Sequence, residues 1–269
     1  MDKSEQEQNQ DKYSLHEQSQ TQEHDEFVKS HHGKKKSPMM KLLQKWTGKN
    51  LKETGYFWLD VVLNVVIIVA MVFIIRSYII SPFQVYGPSM CNTFNFFDET
   101  CQRQYGEYLI VNKFGYQNFA GLKIGMPKRG DIVVFHPPTN NNEFFIKRII
   151  GLPGETLKLK DGKVYILNED NPAGFELNEP YLNGTNQGNT QPLLAGKTVF
   201  EIPEGAYFVM GDNRTASTDS RICFKETVGG AACSKDASPY LTMDHIEGKA
   251  WLVLWPLSKL TIVQNPAYN

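Results

Sequence analysis

The sequence has no excess of charge of either sign: 28 Lys and Arg stand against 29 Asp and Glu over 269 residues, a formal net charge of -1. That balance argues against a nucleic-acid binder, whose affinity rests on a surplus of basic side chains. Glycine and proline, at 21 and 14 residues, are too few for a collagen-like chain or one disordered throughout. The four cysteines include no C-x2-4-C spacing of the kind a zinc site favours. There is no internal repeat, and no segment after Ile80 keeps helical periodicity over three turns. What is present is enough chain for one or two domains with a real core, divided into very unequal segments.

Residues 1–33 are rich in Gln, Glu, Asp and His, and their large apolar residues are Tyr13, Leu15, Phe27 and Val28. Such a segment cannot bury enough apolar surface to offset its ordering entropy, which predicts a disordered tail. His16, His24, His31 and His32 are too loosely spaced to read as a metal site. Lys29, Lys34, Lys35, Lys36, Lys41, Lys45, Lys49 and Lys52 follow with no acidic residue before Glu53.

Trp58 to Ile80 is a run of 23 residues whose centre, Val61 to Ile75, carries no charge and one amide, Asn64. At about 1.5 Å per residue the run spans roughly 34 Å, enough to cross a hydrocarbon core of about 30 Å. Asp60 and Arg76 sit near its ends, and Tyr56, Trp58 and Tyr78 suit the interfaces. The lysine excess before it places the N-terminus in the cytoplasm and the remainder outside. The expected organisation is a tail with a Lys-rich juxtamembrane segment over 1–55, a transmembrane signal anchor over 56–80, and an extracytoplasmic domain over 81–269 that contains a smaller subdomain at 156–203.

The outer region reads as β structure. Tyr108–Val111, Asp131–Phe135, Phe144–Ile150, Leu157–Leu159, Lys163–Leu167, Tyr207–Met210 and Lys249–Leu254 are short apolar or alternating runs bounded by turn residues. Asp161-Gly162 is a strong hairpin signal, because a type I′ turn needs positive φ. Cys91, Cys101, Cys223 and Cys233 form two local pairs of equal separation on the oxidising side. Bridges Cys91–Cys101 and Cys223–Cys233 fit that spacing, although four cysteines allow three connectivities and free thiols are the alternative.

For chemistry, no histidine stands in a Ser-His-Asp context: His136 precedes two prolines and His245 lies in a polar turn. Ser89 lies in Gly87-Pro88-Ser89-Met90, a bend just beyond the membrane exit. Lys147 stands between Phe144-Phe145-Ile146 and Arg148-Ile149-Ile150. Burial among such residues disfavours the ammonium form and lowers a lysine pKa by several units, so a neutral amine becomes available to take a proton from serine. A lysine reaching solvent from an edge strand, and a serine capping its own turn, are the competing readings.

Five ordered motifs then match a family: PFQV with GPSM (82–90), EYLIVNK (107–113), KRGDIVVF (128–135), IKRIIGLPGE (146–155) and GDNRTASTDSR (211–221). Together with the closing GKAWLVLWP (248–256), they resemble bacterial type I signal peptidases, membrane-bound serine proteases that remove signal peptides from secreted precursors. The resemblance implies a mostly β fold of antiparallel sheets with a smaller inserted subdomain behind one N-terminal transmembrane helix. It implies Ser89 as nucleophile, Lys147 as general base and Ser217 as the hydroxyl that hydrogen-bonds and orients the lysine amine. Asp219 and Arg221 match a buried ion pair beside the dyad, and Asp212, Asn213 and Arg214 match the same loop. Phe83, Val85 and Ile146 match residues lining shallow pockets for small side chains. Two positions depart from the pattern. Gly87 replaces a serine that donates a second oxyanion hydrogen bond in some members, and Asn92 replaces the usual proline. The partners implied are signal-peptide-bearing precursors and membrane lipid, with no nucleic acid, metal or other cofactor, in a monomer at the bacterial cell membrane. The alternative is a catalytically inactive, membrane-anchored binding module of the same fold; a self-cleaving repressor, which shares the Ser/Lys β fold, does not fit a membrane anchor.

Overall fold

The computed structural model describes residues 53–116, 125–139, 142–194, 196–225, 233 and 237–268. The readings made for residues 1–52, namely the tail, its histidines and the lysine run, lie outside the described residues. Helix α1 (Glu53–Ile74) continues into a wider π turn, Ile75–Ile79. Its segment Tyr56–Ile79 has a mean hydropathy of 2.7 and is long and apolar enough to cross a membrane. The helix is apolar on all sides rather than along one stripe, as suits a helix surrounded by hydrocarbon. The chain divides into two compact units, Met1–Val69 and Ala70–Asn269, and the β structure lies in the second.

Fourteen strands follow among the described residues: β1 (Ile80–Tyr86), β2 (Phe96–Phe97), β3 (Thr100–Cys101), β4 (Tyr105–Asn112), β5 (Ile132–Phe135), β6 (Phe145–Gly151), β7 (Thr156–Lys160), β8 (Lys163–Leu167), β9 (Phe175–Glu176), β10 (Val199–Glu201), β11 (Ala206–Met210), β12 (Leu241–Thr242), β13 (Ile246–Trp255) and β14 (Thr261–Ile262). The main sheet has the order β1-β4-β13-β5-β6-β11-β12, with β14 paired to β13. A second sheet has the order β10-β7-β8-β9, and β2-β3 form a separate hairpin. The pairings are antiparallel throughout. Mostly antiparallel sheets behind one N-terminal apolar helix are the fold class that the sequence implies.

Strand β1 is not among the runs singled out from sequence, because Pro82 interrupts it and proline cannot donate to a ladder. It forms all the same as an edge strand, with Pro82 exposed and Phe83 opposite Leu109. The turn between β7 and β8 has Asp161 at φ 51° and Gly162 at φ 74°, the positive pair that closes a tight hairpin.

Strands β6 and β11 show why Phe144–Ile150 lacks a polar face. Ile150, Phe208 and Met210 pack into one cluster with Leu157, Val164, Ile166 and Phe200 of the second sheet. Ile149, Tyr207 and Val209 point into another, with Val133, Phe135 and Ile246. A third cluster, Val85, Met90, Phe94, Leu109, Ile132 and Val253, takes in Met90, the residue after Ser89. The sheet is therefore covered on both faces where it carries Lys147. Cys91–Cys101 and Cys223–Cys233 are bridged, with Cα separations of 5.7 and 5.9 Å.

Phe208 is fully buried and joins the two sheets through the Phe200 ring, 4.7 Å away between centroids. Phe208→Ala is expected to cost about 3–5 kcal/mol of unfolding free energy, read from urea denaturation, because the cavity cannot collapse between two sheets.

Candidate active site

Ser89 follows β1 in a turn whose carbonyls are all held. Pro88 O accepts from Cys91 N at 3.0 Å and from Asn213 Nδ2 at 3.1 Å, and Ser89 O accepts from Asn213 N at 3.0 Å. Gly87 donates its N–H to Gln104 O at 3.2 Å, so that N–H is not free to act as a second oxyanion donor. The Ser89 N–H has no acceptor among the described hydrogen bonds. Asn92, where the resemblance leads one to expect proline, has φ 85°, a conformation closed to a proline ring fixed near −65°.

Lys147 sits mid-strand in β6, opposite Val133 of β5. Its Nζ lies 2.8 Å from Ser89 Oγ and donates to Ile146 O at 2.9 Å, with the Phe145 ring 5.2 Å away. The lysine is 4% exposed, while Ser89 is half-buried, so the amine is shielded where the hydroxyl is reachable. Burial lowers the Lys147 pKa to about 8, against the opposing pull of the Asp219 and Asp212 carboxylates.

Both carboxylates are neutralised by arginine. Asp219 is fully buried and faces Arg221 with Oδ1–Nε and Oδ2–Nη2 distances of 2.9 Å, and it accepts the Gly211 N–H at 3.1 Å. Burial pushes its pKa up, but the Arg221 charge and the hydrogen bonds outweigh this and hold it below the usual carboxylate range. Asp212 binds Arg148 through Nε at 2.9 Å and Nη2 at 2.6 Å and accepts from Thr93 Oγ1 at 2.5 Å. Arg148 also donates to Gly130 O at 2.9 Å and lies 4.0 Å over the Tyr181 ring. Arg214 turns the other way, to Glu179 Oε2 at 2.9 Å and Thr190 Oγ1 at 2.6 Å.

Ser217 lines the cleft with Ser89 and Lys147, but the expected hydrogen bond to the lysine amine is not formed. Its Oγ is buried, lies near enough to Asp219 to favour the carboxylate charge, and makes no hydrogen bond of good geometry. The hydroxyl packs against Gly211, where any added Cβ would overlap both Ser217 Oγ and Ser89 O.

The cleft beside the pair has a volume of about 920 Å3. Phe83, Val85 and Ile146 line it, as do Leu109, Val134, Phe144 and Phe145, with Arg103 and Glu143 at charged positions. Phe83 and Phe144 meet edge to face, 4.9 Å between centroids. The His136 ring lies 4.1 Å from that of Phe144 between centroids, tilted by 41°, and its Nδ1 meets Glu143 O, while His245 bonds Thr242; the group on Ser89 Oγ is Lys147. Sequence reasoning missed Arg148, Thr93, Glu179 and Tyr181. The one available signal was Arg148 itself, a charge within a run that the apolar neighbours mark as buried.

A lysine whose value falls from 10.5 to about 8 on folding destabilises the fold while it is protonated, below about pH 8. Between about 8 and 10.5 only the unfolded chain binds the extra proton, so stability recovers as pH rises. Lys147→Met is therefore expected to raise stability by up to about 3 kcal/mol at pH 6–7, less about 1 kcal/mol for each lost hydrogen bond. The gain should vanish above pH 10.5 in melting curves recorded across that range.

The signal peptidase family model, peptidase S26, matches residues 58–255. A signal peptidase IB of Staphylococcus aureus is 30% identical over 220 residues, covering 77% of this chain and 95% of its own length. A signal peptidase I U of Bacillus subtilis is 36% identical over 163 residues, covering 60% and 75%. A crystal structure of a signal peptidase I from Enterococcus faecalis is 32% identical, with a TM-score of 0.34, over 46% of this chain and 97% of that one. The matched span runs from the apolar helix to the last residue of β13 and encloses Ser89 and Lys147, so the chain belongs to the signal peptidase family, peptidase S26, and is a serine peptidase that cleaves signal peptides.

Proposed function

We propose that Ser89 is the nucleophile and Lys147 the general base of a membrane-anchored endopeptidase that cuts signal peptides from secreted precursors. The observation that carries this reading is the 2.8 Å contact between Ser89 Oγ and a buried amine whose pKa is lowered to about 8. Neutral Lys147 takes the proton of Ser89, and the alkoxide attacks the scissile carbonyl. The Ser89 N–H, with no other acceptor among the described hydrogen bonds, holds the oxyanion. The lysine then returns its proton to the leaving amine, and in the second half it deprotonates the water that hydrolyses the acyl-enzyme.

The substrate adds as a strand along the free edge of β1, gaining backbone hydrogen bonds that do not depend on sequence. Alanine-sized side chains at the first and third positions before the cut enter pockets formed by Phe83, Val85 and Ile146, which exclude larger ones. Asp212, Asn213, Arg214, Ser217, Asp219, Arg221 and Gly87 shape the site without reacting. Helix α1 spans the cell membrane with the N-terminus in the cytoplasm and residues 81–269 outside as a monomer. The exposed Trp251, Trp255 and Pro82 rest on lipid.

The test uses purified full-length protein in detergent, a secretory precursor with a small-x-small site, and mass spectrometry of the products. One cut after the second small residue is expected, abolished in Ser89→Ala and Lys147→Ala. The rate at low substrate should rise about tenfold per pH unit below pH 8 and level off above it, as the amine loses its proton. Full processing by Lys147→Ala sinks the dyad, and no cut by folded wild type across several precursors favours the inactive binding module.

A further inference from the structure

The turn carrying Ser89 has a third clamp, supplied by the loop that the Cys91–Cys101 bridge closes immediately after the nucleophile. Within that loop Asn95 is fully buried, with its backbone in the left-handed region at φ 58°. Its Nδ2 donates to Gly87 O at 2.8 Å and to Gln104 O at 3.3 Å, and Gln104 O also accepts the Gly87 N–H. The Gly87 carbonyl, two residues before the nucleophile, is thus held from this loop, and the Gly87 N–H is held by Gln104 O just beyond it, which Asn95 also binds.

Asn95 is itself pinned from behind. Its N–H donates to Glu107 Oε2 at 2.7 Å, and its carbonyl accepts from Gln102 N at 2.7 Å. Glu107 is buried and paired with Lys259 at 2.8 Å. The Asn95 Oδ1 has no hydrogen-bond partner and lies against Gly106, where any side chain would overlap it. A buried oxygen without a partner weakens the fold, so stability alone does not account for an amide here. What the amide supplies is a pair of N–H donors aimed at the carbonyls of Gly87 and Gln104.

We propose that Asn95 is a positioning residue for the nucleophile: its side-chain amide fixes the Gly87 carbonyl and thereby sets where the Ser89 hydroxyl and N–H stand relative to Lys147. With Gly87 O on Asn95, and Pro88 O and Ser89 O on Asn213, three consecutive carbonyls are turned into the protein. The Ser89 N–H is left for the cleft. The proposal rests on Ser89 being the nucleophile.

Two variants separate the amide from the backbone it sits on. Asn95→Gly keeps the left-handed conformation and removes the side chain, and Asn95→Asp keeps the shape but sets a carboxylate against two carbonyls. Steady-state cleavage of a fluorogenic peptide with an Ala-x-Ala site is measured from pH 6 to 10 on the full chain in detergent. Thr100→Ala, in the exposed β2–β3 hairpin of the same loop, is the control. Expected are a kcat lower by about 10- to 100-fold in both variants, a KM within about threefold, and an unchanged pH midpoint, because the burial of Lys147 is untouched. Thr100→Ala should stay within about twofold of wild type. The proposal is overturned by a kcat within about twofold of wild type in Asn95→Gly, by a loss that only tracks the unfolded fraction in thermal melts, or by a moved midpoint, which would assign the effect to Lys147. If Asn95→Asp does not fold, Asn95→Gly decides alone, and if neither folds the amide is a fold determinant and the proposal falls. Failure of the underlying serine-peptidase reading looks different, since Ser89→Ala would then cut as wild type does.

Discussion

Everything at this site depends on keeping water away from one amine. A lysine in solvent stays protonated at neutral pH and cannot accept a proton from serine. At 4% exposure, beside the Phe145 ring, Lys147 has lost most of the hydration that would stabilise its charge. Two buried carboxylates nearby would undo this if they stood alone, because a bare negative charge in a low-dielectric interior favours the ammonium form strongly. Arg148 on Asp212 and Arg221 on Asp219 cancel much of that field. Buried ion pairs of this kind contribute little net stability after desolvation. Here they let polar groups anchor the surrounding loops while the lysine environment stays effectively apolar.

The same short segment anchors both partners of the Ser89–Lys147 contact, which lie 58 residues apart in sequence. Asn213 binds the Pro88 and Ser89 carbonyls. Its neighbour Asp212 binds Arg148, which adjoins Lys147 on β6, and Thr93, four residues after Ser89. A displacement of this segment would therefore carry the serine turn and the lysine strand with it. Arg214 extends the anchoring to Glu179 and Thr190, so the stretch between β9 and β10 braces the segment around Asp212 and Asn213 as well as joining strands.

Much of this was legible in the sequence, and the limits have physical causes. Apolar strands such as Lys163–Leu167 are written in short-range pattern, as is the Asp161-Gly162 turn, because both depend on neighbours in the chain. Strand β1 was hidden because its proline argues against a ladder position, and only an edge makes that position acceptable. The Arg148–Asp212 and Arg214–Glu179 pairs span 64 and 35 residues, and no local pattern states which buried arginine meets which carboxylate. Ser217 is placed in the cleft by its motif, but whether its hydroxyl reaches the lysine depends on an ångström of loop path that the motif does not encode. Here the loop sets it against Gly211 instead.

In the proposed reaction, a lysine base ties reactivity to specificity. A histidine base would work at neutral pH in a solvated cleft, since its unperturbed pKa is near 6.5. A lysine base requires apolar surroundings, and Phe145, whose ring lies 5.2 Å from the amine, also bounds the cleft beside Ser89 together with Phe83, Phe144 and Ile146. Shrinking these residues would widen the pockets toward larger substrate side chains and also admit water to the amine. The lysine would then regain its charge as selectivity fell. In the proposed reaction, discrimination for small residues and activation of the base are therefore two consequences of one packed apolar surface, and neither can be altered far without the other.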